Sequence, residues 1–302
     1  MAGEPSATPP RSAVVLGLLG VLGFSLTLPA TRLAVEDLDA TVVGLGRALI
    51  AAVLAAAVLA LAGGRRPTGR QWPRLALVGA GVVVGFPLFT ALALRDATSA
   101  HSAVIVGLLP AATAMAAVLR AGERPSPGFW AACLAGLAAV LAFAAAEGAG
   151  LPGTDDVFVL AAVACAAIGY AEGGALARDL GGWRVICWAL VLTAPVIAPV
   201  VVLATARHGL HAGAEAWAGF AYVALFSMFL AFFAWYRALA AGGVARIGQL
   251  QLVQPIFTLG WSALLLGERF GLLTVVAALV VLLSAGAAQR ARVERVEALP
   301  PG

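Results

Sequence analysis

Long apolar runs separated by short polar connections dominate the chain. Ten of them approach the roughly 20 residues a helix needs to cross a bilayer: Ala13–Val35, Thr41–Ala62, Leu75–Leu94, Ala97–Leu119, Phe129–Ala146, Val157–Ala177, Val185–Ala206, Trp217–Tyr236, Val244–Leu266 and Leu272–Ala288. The first is too long for the apolar region of a signal peptide and is followed by many equals, so it reads as a span. The short connections predict antiparallel neighbours. The pattern therefore predicts an all-α integral membrane protein. Residues 1–12, with Pro5, Pro9 and Pro10, are expected to form a disordered tail, and 289–302 a polar cytoplasmic one.

The apolar pattern also repeats. Leu119 to Arg124 reads LRAGER, and Leu264 to Arg269, 145 residues on, reads LLLGER. At the same offset Pro110 matches Pro255, Thr113 matches Thr258 and Ala100 matches Ala245. Gly23-Phe24 through Arg32 matches Gly169-Tyr170 through Arg178 at 146. The chain thus divides into two five-helix repeats, 13–146 and 157–288. Five is odd, so the second repeat enters the membrane the opposite way up. Inverted repeats of this kind are characteristic of secondary transporters.

Composition strengthens the membrane reading. The chain is 62% apolar and 11% charged, against about 45–50% and 25% in soluble domains. All 19 basic residues are Arg, and they set orientation rather than marking a nucleic-acid surface. With the N-terminus in the cytoplasm, fourteen fall on the inner side (Arg11, Arg65, Arg66, Arg70, Arg74, Arg120, Arg124, Arg178, Arg184, Arg237, Arg246, Arg290, Arg292 and Arg295) and five on the outer side (Arg32, Arg47, Arg95, Arg207 and Arg269). The bias puts both termini in the cytoplasm. Trp72, Trp130, Trp183 and Trp217 stand at span ends, where interfacial aromatics belong. Cys133, Cys165 and Cys187 lie in apolar runs without a CxxC or Cys/His spacing, so neither a disulfide framework nor a metal site is expected. No GxxxxGK[ST] loop is present, so no nucleotide-driven step and no cofactor is expected.

Five spans per half, an apolar fourth span with a mid-helix proline, and a doubled Gly-Glu-Arg closing it together resemble the EamA family of the drug/metabolite transporter superfamily. The resemblance runs from about Val14 to Ala288. It implies a ten-helix inverted-repeat fold that moves small metabolites, often amino acids, out of bacterial cells. The architecture is also similar to that of the family's bacterial aromatic amino-acid exporters. The expected partners are a small-molecule substrate and the lipid bilayer of the inner membrane, with no nucleic acid; a monomer is compatible with this.

Polar residues inside spans are costly, and so informative. Gln251, Gln254, Thr258 and Ser262 share one face of the ninth span. Pro255 lacks an N–H and leaves the Gln251 carbonyl without its helical partner. That carbonyl then needs another donor or a wet cavity. The stripe reads either as the wall of a substrate cavity or as interhelical glue. Pro110 breaks the fourth span similarly, where the matching face is Val106, Leu109, Thr113 and Ala117. An amide wall opposite an apolar one suits an amphipathic ligand. Further candidate lining residues are Phe24, Thr27 and Thr31 in the first span, Phe86, Phe89 and Thr90 in the third, Tyr170 in the sixth, and Phe229, Phe233, Trp235 and Tyr236 in the eighth. Aromatics at helical spacing are equally what packing produces.

Glu172 is the carboxylate well inside a span. It reads either as a proton-coupling group or as the structural partner of a cytoplasmic arginine such as Arg178, Arg237 or Arg246. His101 is expected to be an interfacial residue, and Glu123 and Glu268 are expected to make structural pairs at helix ends. The function expected is secondary transport, with export as the direction. An intramembrane enzyme would need a Ser/His pair, paired acids or metal ligands. A non-transporting interaction protein would need neither the polar stripe nor the paired prolines.

Overall fold

The computed structural model describes residues 10–63, 66–121, 124–147, 153–242, 247–290 and 293–294. Seven helices are long and apolar enough to cross a membrane: α1 (Arg11–Asp37), α2 (Val42–Leu61), α3 (Trp72–Ala93), α4 (Ser99–Leu119), α6 (Thr154–Leu180), α7 (Gly182–His208) and α8 (Ala214–Gly242). Three more apolar helices are shorter in their apolar part: α5 (Pro127–Glu147), α9 (Leu250–Leu266) and α10 (Leu272–Arg290). Each coincides with an expected span. The expected tail at 1–12 lies mostly outside the described residues; helix begins at Arg11. Of the expected C-terminal tail, helix continues to Arg290, and Val293–Glu294 pairs antiparallel with Arg124–Pro125.

Helix pairing follows the repeat. The contacting pairs include α1 with α8 and α6 with α3, α4 with α6 and α9 with α1, and the pairs α2–α7, α4–α9 and α5–α10. Exchanging each helix with the one five places away leaves this pattern unchanged. Backbone irregularities repeat as well. π-helical segments occupy Gly79–Gly85 in α3 and Val223–Leu230 in α8. The helix of α4 is interrupted at Gly107–Leu108, and α9 opens with a 3-10 segment, Gly248–Val253. Such π and 3-10 stretches mark functional sites and hinges more often than ordinary helix does.

Small residues set the crossings, because in lipid helices associate by close packing rather than by burial of apolar surface. A Cβ on Gly81 would stand 2.5 Å from the Cys165 carbonyl oxygen and 3.1 Å from the Gly169 Cα, so α3 and α6 meet backbone to backbone. Gly23 makes the corresponding approach in the α1–α8 crossing, where a Cβ would lie 2.9 Å from the Ala231 Cβ. The duplicated Gly-Glu-Arg also has a backbone reason. Gly267 ends α9 in the left-handed region at φ 63°, and its N–H returns to the Ser262 carbonyl. Glycine takes that conformation without a side-chain penalty.

At the same end of the bundle, polar side chains tie neighbouring elements together. The Glu268 carboxylate accepts from the Ser99 and Ala100 N–H groups at 2.8 Å each, capping α4 from the other half of the chain. Arg32 donates to the carbonyls of Leu94 and Arg95 at the end of α3. Asp37 accepts from the Gly213 N–H before α8, and Asp39 caps α2. Glu268 is thus paired with backbone across the repeat. Glu123, its counterpart, lies outside the described residues.

Candidate functional site

Where α1, α2, α3, α6 and α8 meet, the structure encloses a cavity of about 10 Å³ lined by Phe24, Arg47, Val82, Phe86, Ala166, Tyr170, Ser227, Met228 and Phe232. That is about enough for one water. Six of the nine residues form pairs 146 apart: Phe24 with Tyr170, Val82 with Met228, and Phe86 with Phe232. The cavity therefore sits where corresponding faces of the two repeats converge. Its aromatic wall is tightly joined. The Phe24 ring lies 4.9 Å from Phe232 at 68° and 6.2 Å from Tyr170, and Trp235 closes the group at 6.1 Å from Phe24 and 5.9 Å from Tyr170.

Arg47 was expected at the outer surface, and this is a correction. It is 1% exposed and lies on the cavity wall. It follows the π-helical turn Val42–Gly46, inside the second apolar run rather than before it. NH1 reaches the Thr31 hydroxyl at 3.4 Å, while Nε and NH2 have no hydrogen-bond partner. Counting arginines by loop missed it. Its depth within an apolar run was the available signal.

The glutamine stripe divides in two. Thr258 donates to the Ser25 carbonyl at 2.7 Å. Pro29 has no N–H, so it cannot satisfy that carbonyl, and α1 is interrupted at Leu26. Ser262 binds the Ser99 hydroxyl at 2.9 Å. Both join α9 to neighbours. Gln251 and Gln254 are buried yet unsatisfied: Oε1 and Nε2 of Gln251 and Oε1 of Gln254 lack partners. The Gln251 carbonyl was expected to be left free by Pro255. Instead it accepts the Gln254 N–H, because the 3-10 turn bonds three residues back rather than four. Pro255 accordingly stands at the start of the α-helical part of α9, and Pro110 just inside the helix that resumes at Leu109.

The other expected lining residues are distributed as follows. Phe86 lines the cavity. Phe89 stacks on Phe158 of α6, and the Thr90 hydroxyl donates to the Phe86 carbonyl. The Thr27 hydroxyl meets that of Ser227 at 2.8 Å, joining α1 to α8. Trp235 and Tyr236 are buried; the Tyr236 hydroxyl donates to the Gly169 carbonyl, and its ring fills the space over Gly173. In α8 the cavity residue is Phe232, whereas Phe229 packs on Phe233 at 4.7 Å. Phe232 shares its face with Trp235 and Tyr236 in the regular helix Ala231–Gly242, and its place 146 residues after Phe86 was the available signal.

Glu172 lies outside this cavity. Its carboxylate is paired with the guanidinium of Arg74 from α3, an arginine of the expected cytoplasmic set; Arg246 lies outside the described residues. The spacing along the sequence could not reveal a partner on another helix. Glu172 also borders an apolar groove of about 710 Å³ between α4, α5 and α6, whose walls include Leu108, Met115, Trp130 and Leu160. At the opposite end of α6, His101 Nε2 lies 2.6 Å from Asp156, which also accepts from the Gly153 N–H. Among the described residues, His101, Asp155 and Asp156 bring three metal-type ligand atoms within 4.8 Å of one another. Asp156 is already engaged as helix cap and ion-pair partner.

A helical bundle with seven helices long and apolar enough to cross a membrane defines a multi-pass membrane protein, and comparison with known proteins gives its family. The model of the EamA-like transporter family matches twice, over residues 11–145 and 154–287. The chain is 46% identical over 274 residues to "Uncharacterized transporter YdeK" of Bacillus subtilis (strain 168), covering 91% of this chain and 96% of that one. The protein belongs to the EamA-like transporter family. A solved crystal structure, 19% identical, shares the fold with a TM-score of 0.64 over 92% of this chain and 98% of its own.

Proposed function

We propose that the protein is a secondary transporter that exports small amphipathic metabolites such as amino acids across the bacterial inner membrane, by alternating access around the cavity at Phe24, Tyr170, Phe86 and Phe232. In this reading all ten apolar helices cross the membrane as two inverted five-helix repeats, 13–146 and 157–288, with both termini cytoplasmic. The observation that carries it is the cavity itself. Three residue pairs 146 apart converge there, so either repeat can close the path while the other opens it. Supporting it are the double match of the family model, helix pairs such as α1–α8 and α6–α3 that map onto one another between the halves, and the arginine bias. Export is the direction that the resemblance to the family's amino-acid exporters implies. The family membership favours transport over intramembrane catalysis or a purely interactive role.

Gln251 and Gln254 then receive the polar head of the substrate, and Phe24, Phe86, Tyr170 and Trp235 its apolar part. Thr258, Thr27, Thr90, Phe89 and Tyr236 hold the helices around the site. Pro110 and Pro255 fix the interruptions of α4 and α9. Glu172 is the candidate for proton coupling: if the Arg74 pair opens during the cycle, its carboxylate becomes available to a proton. The test is counterflow of labelled amino acids in liposomes, across a panel and with or without a pH gradient. Accumulation above protein-free vesicles supports transport, and stimulation lost in Glu172→Gln while counterflow persists supports coupling. No counterflow of any solute overturns the reading, and a C-terminal reporter found in the periplasm overturns the orientation.

A further inference from the structure

We infer that Arg47 is the anchor for a carboxylate of the transported molecule. The inference rests on the transport reading above and gives it a charge requirement. A guanidinium is a permanent cation with five donors in a planar fork that matches a carboxylate. Here it is 1% exposed, within a span and on the wall of the central cavity. Its NH1 makes a 3.4 Å approach to the neutral Thr31 hydroxyl, and Nε and NH2 have no partner. Among the described residues no carboxylate forms an ion pair with it. Burying a charge without a partner is costly. A structural arginine would carry a fixed acid or a set of carbonyls, whereas an arginine kept open fits an anion that comes and goes.

Its surroundings point to the rest of that anion. Phe24, Phe86, Tyr170 and Phe232 form the cavity walls, with Val82 and Met228 between them. An aromatic or branched apolar group suits them, with the carboxylate turned to Arg47. The cavity of about 10 Å³ admits about one water, so the substrate enters after the helices part. The π-helical segments Val42–Gly46, Gly79–Gly85 and Val223–Leu230 all bring residues to or next to this wall, and supply places where that can happen. The repeat offers no second anchor. Thr193, 146 residues after Arg47, turns its hydroxyl to the carbonyls of Ala189 and Leu190 in its own helix. One carboxylate per molecule is therefore bound, always by the first half.

The test uses the full-length protein in liposomes and four probes of one skeleton: phenylalanine, 3-phenylpropionate, phenylalaninamide and phenethylamine. The two carboxylates should exchange, and the amide and amine should exchange at least about tenfold more slowly, the scale of a lost charge-assisted hydrogen bond. Phenylalanine and 3-phenylpropionate separate an amino acid from a simple acid; exchange of either satisfies the inference. Arg47→Gln should abolish the preference for carboxylates, and Arg47→Lys should retain part of it. A second readout is thermal. The carboxylates should raise the Tm of the wild type and leave that of Arg47→Gln unmoved, while ligand-free Arg47→Gln should be as stable as the wild type or more so, since it loses an unpaired buried charge. Exchange of all four probes at similar rates overturns the anchor and leaves transport standing. A ligand-free Arg47→Gln that fails to fold or is strongly destabilised also overturns it, because Arg47 is then a structural cation. Exchange of none of the probes overturns both this inference and the reading beneath it.

Discussion

The two halves of the molecule share a backbone and differ in their polar side chains. π-helical segments stand at corresponding places in α3 and α8, interruptions at corresponding places in α4 and α9, and glycines at both the α3–α6 and α1–α8 crossings. By sequence offset, however, Gln251 and Gln254 of the second half correspond to Val106 and Leu109 of the first, while Arg47 of the first half corresponds to Thr193 of the second. Helix crossings tolerate little change, because each is set by a side chain that must be absent. The residues around the cavity were free to diverge. In the proposed transport cycle the repeated scaffold would supply the symmetric motion, and its unsymmetric polar groups would give a bound molecule one orientation.

The largest expected effect breaks the shared backbone. Gly81→Val forces a side chain against the Cys165 carbonyl and the Gly169 Cα, neither of which can retreat. The loss should reach or exceed the roughly 1–3 kcal/mol typical of overpacking, seen as an aggregated size-exclusion profile. Gly23→Ala, against the single methyl of Ala231, should lower Tm by a few degrees. Equal losses at both sites would contradict the asymmetric closeness of the two crossings.

Next comes the polar difference. Gln254→Leu keeps the volume and removes the amide, so transport of all amino-acid substrates should fall together by about tenfold, the cost of leaving a ligand's polar group unpaired. Phe86→Ala should instead change the preference among side chains. Counterflow of several amino acids by purified, folded variants checks both. If Gln254→Leu leaves every rate near wild type, the α9 stripe is packing throughout.

A smaller effect is expected where one half caps the other. Glu268→Gln removes the charge that faces the α4 N-terminus and keeps the shape. Charge at a helix terminus contributes about 0.3–1 kcal/mol, up to ~2 when partly buried. The variant should lose a few degrees in Tm, and thiols placed between α4 and α9 at that end should label faster. An unchanged Tm together with unchanged labelling would make the cap incidental.

The ten apolar segments and their boundaries to within a few residues were legible in the sequence, because span length is a linear property of a chain. The aromatic wall was legible in part. Phe24, Phe86 and Tyr170 were among the expected lining residues, whereas Phe232, one turn before Trp235 and Tyr236 in the regular helix Ala231–Gly242, was passed over for Phe229 and Phe233. Partners across helices were out of reach: Arg74 for Glu172, the α4 N-terminus for Glu268 and Ser25 for Thr258 are each joined by folding alone. Arg47 was misread because a loop count treats every arginine near a span end as a surface charge.

The central claim is that the cavity opens to each side of the membrane in turn. Ser227 lines it and is 5% exposed, so Ser227→Cys in a protein whose native cysteines are replaced reports access directly. The account predicts that a membrane-impermeant thiol reagent labels it from either face, and that a transported solute added on one side changes both rates in opposite directions. Labelling from one face alone under every condition, with no response to any solute, would contradict it.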